Sequence, residues 1–227
     1  MPGMRKGVIF DLDGTLWDSN EAMAASYEAF VKKYLPEWYA KGFSVTAEKT
    51  RLVCGRPMEE FKDIVFAMFP EELRRTVLNG IWDYEVEFIR ENGMVQVFDG
   101  VIRMLEALRD KGYGVYIVSN CQIGYIETFL YWSGAADLIC DKECNGQTGL
   151  TKAENIRLVI QRNQLEQALY VGDTQGDLDG ADEAGIPFIH ARYGFGDVDR
   201  KVPTADTPEE IVRVVEEVFA GQKEMPS

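Results

Sequence analysis

In VIFDLDGTLWDS, residues 8–19, an apolar run ends directly on two aspartates, and this arrangement indicates the class of fold. The run GVIF (7–10) is too short for an ordinary helix and is rich in β-branched and aromatic residues, which predicts a strand buried on both faces. Asp11 and Asp13 then stand one residue apart where the strand gives way to a turn. Two like charges at such a place require a chemical explanation.

Short apolar runs recur along the chain and alternate with helical patterns. Further strands are predicted at YGVYIVS (113–119), ADLIC (136–140), ALYVG (168–172) and PFIHA (187–191). Apolar spacing of three to four residues predicts helices at 101–111, 151–162, 177–184 and around 211–219. Strand alternating with helix predicts an α/β, Rossmann-like fold, a doubly wound parallel sheet covered on both sides.

Residues 19–93 break this alternation. Helical patterns cover 20–34, 46–53, 58–69 and 71–92, with proline and glycine between them and no strand pattern. We therefore predict an α/β core domain from residues 1–18 and 94–227, with an inserted all-helical cap over 19–93.

The charge balance limits the partners. Lys and Arg total 24 against 38 acidic residues, and the net charge of −14 opposes binding to phosphate-rich polymers or anionic membranes. We expect no nucleic-acid partner, no membrane partner, and a monomer or weak homodimer. No signal-peptide pattern stands at the N-terminus and no apolar stretch approaches the roughly 20 residues that span a bilayer, so a cytoplasmic protein is expected.

Cysteine and histidine usage does not favour a zinc site. The four cysteines are expected to be reduced thiols. Cys140 and Cys144 have no second cysteine pair, and the single histidine, His190, is far away in sequence, where we expect a structural role.

Polar residues follow the predicted strands in a regular way. Because the carboxyl ends of parallel strands share one edge of a sheet, these residues are expected to converge. They are Asp11, Asp13, Gly14 and Thr15 after the first strand, Ser119 and Asn120 after the second, Lys152 after the third, and Gly172, Asp173 and Asp177 after the fourth. Each alone is typical of a turn, a helix cap or an exposed lysine, but their joint order indicates one site.

These residues resemble the four motifs of the haloacid dehalogenase superfamily, whose members are mostly phosphatases with an aspartate nucleophile. DLDGT resembles the first motif, Ser119 with Asn120 the second, Lys152 the third, and GDTQGD (172–177) the fourth. The predicted cap lies where the family commonly carries a helical cap. The cap, DGTLWDS and YGFG (193–196) are similar to phosphoglycolate phosphatase-like members.

The resemblance implies a Mg²⁺-dependent phosphatase that hydrolyses a small phosphomonoester through an aspartyl-phosphate on Asp11. A dication is needed because an attacking carboxylate must approach a negatively charged phosphoryl group. Asp11 and Asp173 would bind the metal directly, Asp13 through its backbone carbonyl, and Asp177 through water or from behind the direct ligands. Asp13 would also act as general acid and base at the leaving oxygen.

The remaining motif residues are expected to bind the substrate. Ser119 and the Asn120 backbone amide would hold phosphoryl oxygens, with Lys152 completing the clamp and Gly14 and Thr15 beside it. In the predicted cap, Arg56 would pair with a carboxylate or second phosphate of the substrate, or be a solvated loop arginine.

Three alternatives to hydrolysis were considered. Asp13 argues against dehalogenation, because family members that perform that reaction lack this second aspartate. A sugar-phosphate mutase of the beta-phosphoglucomutase type would need the cap to hold a second phosphate. A non-enzymatic metal-binding or phospho-accepting regulatory module, as in response-regulator receivers, needs only about half this length and no helical insert. Release of inorganic phosphate from a monophosphate separates the phosphatase from the mutase.

Overall fold

A computed structural model describes residues 5–54 and 58–221. The strands in chain order are β1 Lys6–Phe10, β2 Trp17–Asp18, β3 Gln96–Val97, β4 Gly114–Ser119, β5 Asp141–Cys144, β6 Gln167–Gly172, β7 Phe188–Ala191 and β8 Thr204–Ala205. Within the described ranges, six of them form one parallel sheet in the order β5-β4-β1-β6-β7-β8, and β2 pairs with β3 in a separate antiparallel ribbon.

Helices fill the connections between the strands. They are α1 Asn20–Tyr34, α2 Pro36–Ala40, α3 Ala47–Arg51, α4 Met58–Val65, α5 Glu71–Asn92, α6 Val101–Asp110, α7 Tyr125–Ser133, α8 Asn145–Thr148, α9 Lys152–Arg162, α10 Gln175–Ala184 and α11 Pro208–Gly221. The predicted α/β, Rossmann-like fold is confirmed. Among residues 5–54 and 58–221, no helix has the length and apolar character needed to cross a membrane.

Strand β1 lies in the middle of the sheet because its side chains are apolar on both faces. Val8 and Phe10 pack into one hydrophobic cluster, whereas Ile9 packs into a second cluster on the other face. β4 lies on one side of β1 and β6 on the other. The chain therefore reverses direction across the sheet between β1 and β6, where ligands collect in folds of this kind.

The helices between residues 20 and 92 have their own hydrophobic cluster. Tyr27, Phe66, Leu78 and Ile81 are among its fully buried members. The ribbon in which Trp17 pairs with Val97 lies just outside this helical segment, where the chain leaves the sheet region and returns. The separate cluster supports our proposal that residues 19–93 form a cap on a core of residues 1–18 and 94–227.

The third predicted strand was wrong in position. Residues 136–138 of ADLIC form a 3₁₀ turn, Ala136–Leu138, and the strand follows at Asp141–Cys144. This strand lies at the edge of the sheet, and its acidic residues Asp141 and Glu143 form ion pairs with Arg162. An edge strand that carries charges has no apolar run to indicate it.

Several helix boundaries also differ from the predictions. α10 begins at Gln175 rather than 177, because the Thr174 side chain caps it. α4 ends at Val65, before the predicted end at 69. The short helix α2 was not predicted, because it lies between the predicted helices and begins at Pro36; proline fits the first position of a helix. α7 was not predicted.

Candidate active site

Three buried carboxylates meet where the carboxyl ends of β1 and β6 lie side by side. Asp11 follows β1, Asp173 follows β6, and Asp177 lies in the first turn of α10. One oxygen from each of the three carboxylates lies within 4.8 Å of the other two. The backbone N–H of Asp11 donates to the Val171 carbonyl at 2.9 Å, which fixes the two strand ends relative to each other.

Lys152 supplies the positive charge of this site. It is the first residue of α9, whose start is fixed by reciprocal hydrogen bonds between Thr151 and Glu154. Its Nζ lies 3.0 Å from Oδ1 of Asp11 and also forms an ion pair with Asp177. Burial lowers the pKa of Lys152, but the two carboxylates outweigh burial and raise it, so the ammonium stays charged.

The site holds more negative than positive charge. Burial and the neighbouring Asp177 together raise the pKa of Asp11 to about 7, against the opposing effect of Lys152. Burial, Asp177 and Asp11 also raise the pKa of Asp173 well above its ordinary value. Three buried carboxylates beside one ammonium offer oxygen ligands and an uncompensated charge, which fits a hard dication such as Mg²⁺.

Gly14 and Thr15 of the first motif pack against Asp173. Thr15 Oγ1 donates to Oδ1 of Asp173 at 3.2 Å, and the backbone N–H of Phe195 donates to Oδ2 at 2.8 Å. Gly14 has φ +81°, and a Cβ there would lie 2.2 Å from Oδ2 of Asp173, so a side chain is excluded at this position. The two residues thus help to orient Asp173, and their binding of substrate stays a prediction.

Both oxygens of Asp177 are already engaged. Oδ1 contacts Lys152. Oδ2 accepts from Thr174 N at 2.9 Å, Thr174 Oγ1 at 2.7 Å and Asp173 N at 3.2 Å. These contacts make Asp177 a link between the start of α10, Asp173 and the lysine.

Asp13 is surrounded by hydrogen-bond donors that differ from those of Asp11. Its Oδ1 accepts from Trp17 Nε1 at 2.8 Å and lies 2.7 Å from Ser19 Oγ and 2.9 Å from Tyr125 Oη. Burial raises the pKa of Asp13 to about 6, although these hydrogen bonds lower it. All three contacts fall on Oδ1, which leaves Oδ2 as the oxygen for a proton.

A small cavity joins the predicted residues to the helical segment. It measures about 70 Å³ and has Asp11, Asp13, Ser119, Asn120 and Lys152 in its wall. The helices between residues 20 and 92 contribute Met23, Tyr27, Phe61, Trp82 and Glu85 to the wall, and further lining comes from the core side at Cys121, Gln122 and Tyr125. The structure thus brings the first three motifs to one cavity. Arg56, the predicted substrate contact in the cap, lies outside the described residues.

Other residues near the site were missed by the sequence analysis. Ser19 lies within the quoted stretch, and a hydroxyl six positions after Asp13 was a usable signal. Tyr125, 112 positions from Asp13, belongs to no motif. Glu85 looked like one of many acidic residues on a helical pattern. The expectation for His190 agrees with its contacts, since its Nε2 lies 3.2 Å from the Asp173 carbonyl oxygen and 3.3 Å from that of Gly196.

Comparison with known proteins agrees with this geometry. Residues 8–191 match the model of the family described as haloacid dehalogenase-like hydrolase. The phosphoglycolate phosphatase of Aquifex aeolicus (strain VF5) is 26% identical over 216 residues, covering 92% of this chain and 96% of its own. The phosphoglycolate phosphatase of Escherichia coli (strain K12) is 28% identical over 219 residues, covering 84% of this chain and 82% of its own.

A solved structure shares the fold. It is a hydrolase of the haloacid dehalogenase-like family from Streptococcus pneumoniae. The two structures have a TM-score of 0.75 and 23% sequence identity, and the match covers 95% of this chain and 100% of that one. The chain belongs to the haloacid dehalogenase-like hydrolase family, as the resemblance of its motifs predicted. Within that family it is a phosphatase similar to the phosphoglycolate phosphatases.

Proposed function

We propose that this protein hydrolyses a small phosphate monoester in a Mg²⁺-dependent reaction, through an aspartyl-phosphate on Asp11. One observation carries the proposal. The buried Asp11 carboxylate lies beside the Lys152 ammonium and two further carboxylates, in the wall of a cavity that also has Asp13 in its lining.

The carboxylate cluster would hold the metal. Asp11 and Asp173 would be direct ligands, with the backbone carbonyl of Asp13 as a third. Asp177, whose oxygens already contact Lys152 and Thr174, would act through water. When bound, Mg²⁺ supplies the charge neutralisation that lets a carboxylate approach a phosphoryl group.

Asp11 would then attack phosphorus, and the ester oxygen would leave. The Lys152 ammonium, 3.0 Å from Oδ1 of Asp11, favours the ionised carboxylate and lies in the wall of the same cavity. Ser119 and the backbone amide of Asn120, also in this wall, would hold the phosphoryl oxygens as charge develops on them.

Asp13 would move the protons. Its Oδ1 is held by Trp17, Ser19 and Tyr125, so Oδ2 would carry a proton to the departing alcohol. The same oxygen would then accept a proton from the water that attacks the aspartyl-phosphate. The raised pKa of Asp13, about 6, suits a group that must both release and take up a proton near neutral pH.

The helical cap, residues 19–93, would close the cavity during the reaction. Tyr27, Phe61, Trp82 and Glu85 already line it from that side. Excluding bulk water there strengthens the electrostatic interactions around phosphorus and brings cap residues to the leaving group. This arrangement makes the cap the part of the chain that selects the substrate.

The test is a screen of phosphomonoesters for Mg²⁺-dependent release of inorganic phosphate. Rapid quenching followed by mass spectrometry of peptides containing Asp11 should detect the covalent intermediate in the wild type and not in Asp11→Asn. Phosphate release that continues at the wild-type rate in Asp11→Asn would overturn the proposal.

The same screen addresses the alternatives. A sugar-phosphate mutase would return the phosphoryl group to sugar faster than to water, and a regulatory module would not turn over. Among the described residues that line the cavity, Lys152 is the sole lysine or arginine, so these residues offer no second cation for the second phosphate that a mutase would hold; Arg56 lies outside them. A cytoplasmic location and a monomer or weak homodimer stay predictions.

A further inference from the structure

The cavity contains a carboxyl group that the proposed reaction does not use. Glu85 lies in the middle of α5, is 1% exposed, and lines the same cavity as Asp11 and Asp13. Its Oε2 accepts hydrogen bonds from Tyr27 Oη at 3.3 Å and Gln122 Nε2 at 3.0 Å. These contacts from α1 and from the core fix the side chain in place.

The second oxygen of Glu85 is left without a hydrogen bond. Oε1 is buried and has no partner within the described part of the chain. A buried polar atom without a partner destabilises a folded protein, whereas an apolar side chain of the same size would fill the space without that cost. Glu85 lines the cavity, so a bound molecule that displaces its neighbours slightly would supply the missing partner of this buried oxygen.

The surroundings of Glu85 restrict what this partner can be. Met23, Phe61 and Trp82 make the nearby wall largely apolar. Lys152, the sole cation among the described lining residues, is already paired with Asp11 and Asp177. Among the described lining residues, a substrate carboxylate on this side would meet acidic groups and no free cation, which is unfavourable in a buried site; Arg56 lies outside those residues.

We propose that Glu85 determines specificity by hydrogen bonding a hydroxyl group on the alcohol portion of the substrate. The preferred substrates are then small hydroxyl-bearing phosphate monoesters, such as short polyol phosphates, rather than esters that carry a carboxylate. The small size of the cavity, about 70 Å³, agrees with an alcohol of only a few heavy atoms. This inference rests on the proposed phosphatase function and names its substrate class.

A hydroxyl suits Glu85 in either protonation state. Burial, together with the charge of Asp13, raises the pKa of Glu85 to about 8, so the group is largely protonated at neutral pH. A protonated Glu85 would donate to the hydroxyl oxygen, and an ionised one would accept from the hydroxyl proton. An alkyl group offers neither interaction.

The experiment compares three phosphate esters with two-carbon alcohol portions: ethyl phosphate, 2-hydroxyethyl phosphate and 2-phosphoglycolate. With Mg²⁺ at neutral pH, we expect kcat/KM for 2-hydroxyethyl phosphate to exceed the other two by about tenfold or more, the usual effect of one buried hydrogen bond. Glu85→Leu should bring 2-hydroxyethyl phosphate to within about twofold of ethyl phosphate. Glu85→Gln should keep part of the preference, and Glu87→Gln, at an exposed position of the same helix, should keep all of it.

Two results would overturn the inference while the phosphatase stands. The first is a wild type that prefers 2-phosphoglycolate or does not distinguish the three esters. The second is a Glu85→Leu variant that retains the preference for 2-hydroxyethyl phosphate. If Glu85→Leu does not fold, the wild-type ratio and Glu85→Gln decide the matter. Absence of Mg²⁺-dependent phosphate release from every ester, including p-nitrophenyl phosphate, would instead contradict the proposed function itself.

Discussion

The Nζ atom of Lys152 lies 3.0 Å from Oδ1 of Asp11, although 141 positions separate the two residues in the chain. Both side chains are buried, and the same ammonium also contacts Asp177. The start of α9 and the end of β1 therefore meet in a single charged cluster. Changing one member of this cluster alters the electrostatics of all the others.

Replacing Asp11 by asparagine tests the nucleophile. The shape of the side chain is kept but the attacking carboxylate is lost, so we expect kcat to fall by at least about a thousandfold. The variant should fold, because one of three mutually repelling carboxylates is removed. Phosphate release and thermal unfolding measure the two effects. Asp110→Asn, at an exposed position, is the control and should keep full activity. A loss of less than tenfold in Asp11→Asn would contradict the assigned role.

Replacing Asp13 by asparagine tests the general acid. Asparagine keeps an oxygen for Trp17, Ser19 and Tyr125 but cannot protonate a leaving group. We expect kcat for an alkyl phosphate to fall by about 100-fold to 10,000-fold. The loss with p-nitrophenyl phosphate, whose leaving group needs no proton, should be much smaller. Equal losses on both substrates would show that Asp13 has a different role.

Replacing Lys152 by methionine tests the charge balance of the site. Two buried carboxylates lose their cation, so we expect the free energy of unfolding at neutral pH to fall by about 3 to 5 kcal/mol. Urea unfolding with and without Mg²⁺ measures the change, and the metal should restore part of the loss. Lys111→Met, which removes an exposed ion pair with Glu216, should have little effect. Equal stability of the two variants would contradict this account.

Removal of metal tests the carboxylate cluster directly. A ligand that binds only the folded state stabilises the protein by about 2.7 kcal/mol when the ligand concentration is about 100-fold above Kd. We therefore expect the Tm of EDTA-treated protein to rise with added Mg²⁺. Asp173→Asn should abolish most of this shift, since a carboxylate that we propose as a direct ligand is lost. A Tm that does not depend on Mg²⁺ in the wild type would count against a metal site here.

The buried Glu85 should also make stability depend on pH. Its pKa is raised from 4.5 to about 8 on folding, so the folded state holds the proton more tightly than the unfolded chain. The contribution of Glu85 to the free energy of unfolding is therefore greatest below pH 4.5. This contribution falls by on the order of 4 kcal/mol as the pH rises towards 8.

Glu85→Gln cannot ionise and should not show this decline. The difference in unfolding free energy between variant and wild type should move in favour of the variant between pH 5 and 8, as measured by urea titrations at each pH. The Glu87→Gln control should follow the wild-type curve. Parallel curves for Glu85→Gln and the wild type would show that Glu85 is not a source of the dependence.

Local sequence patterns were enough to predict the class of fold and the main charged residues of the site. The apolar run before Asp11 and the run before Asp173 each predict a buried strand from local composition alone. Parallel strands must then present their carboxyl ends at one edge, which is why residues from separate motifs converge. No local pattern indicated the charged edge strand Asp141–Cys144, because it is held by pairing with β4 and by ion pairs rather than by apolar burial.

The other groups that face these residues depend on long-range packing, which no local pattern contains. Tyr125 reaches Asp13 across 112 positions, and Glu85 enters the cavity from a helix whose sequence shows many similar acidic residues. Such contacts depend on how α5 and α7 are rotated and packed against the sheet. That rotation follows from the shape of the whole hydrophobic core, and a single helix's periodicity does not contain it.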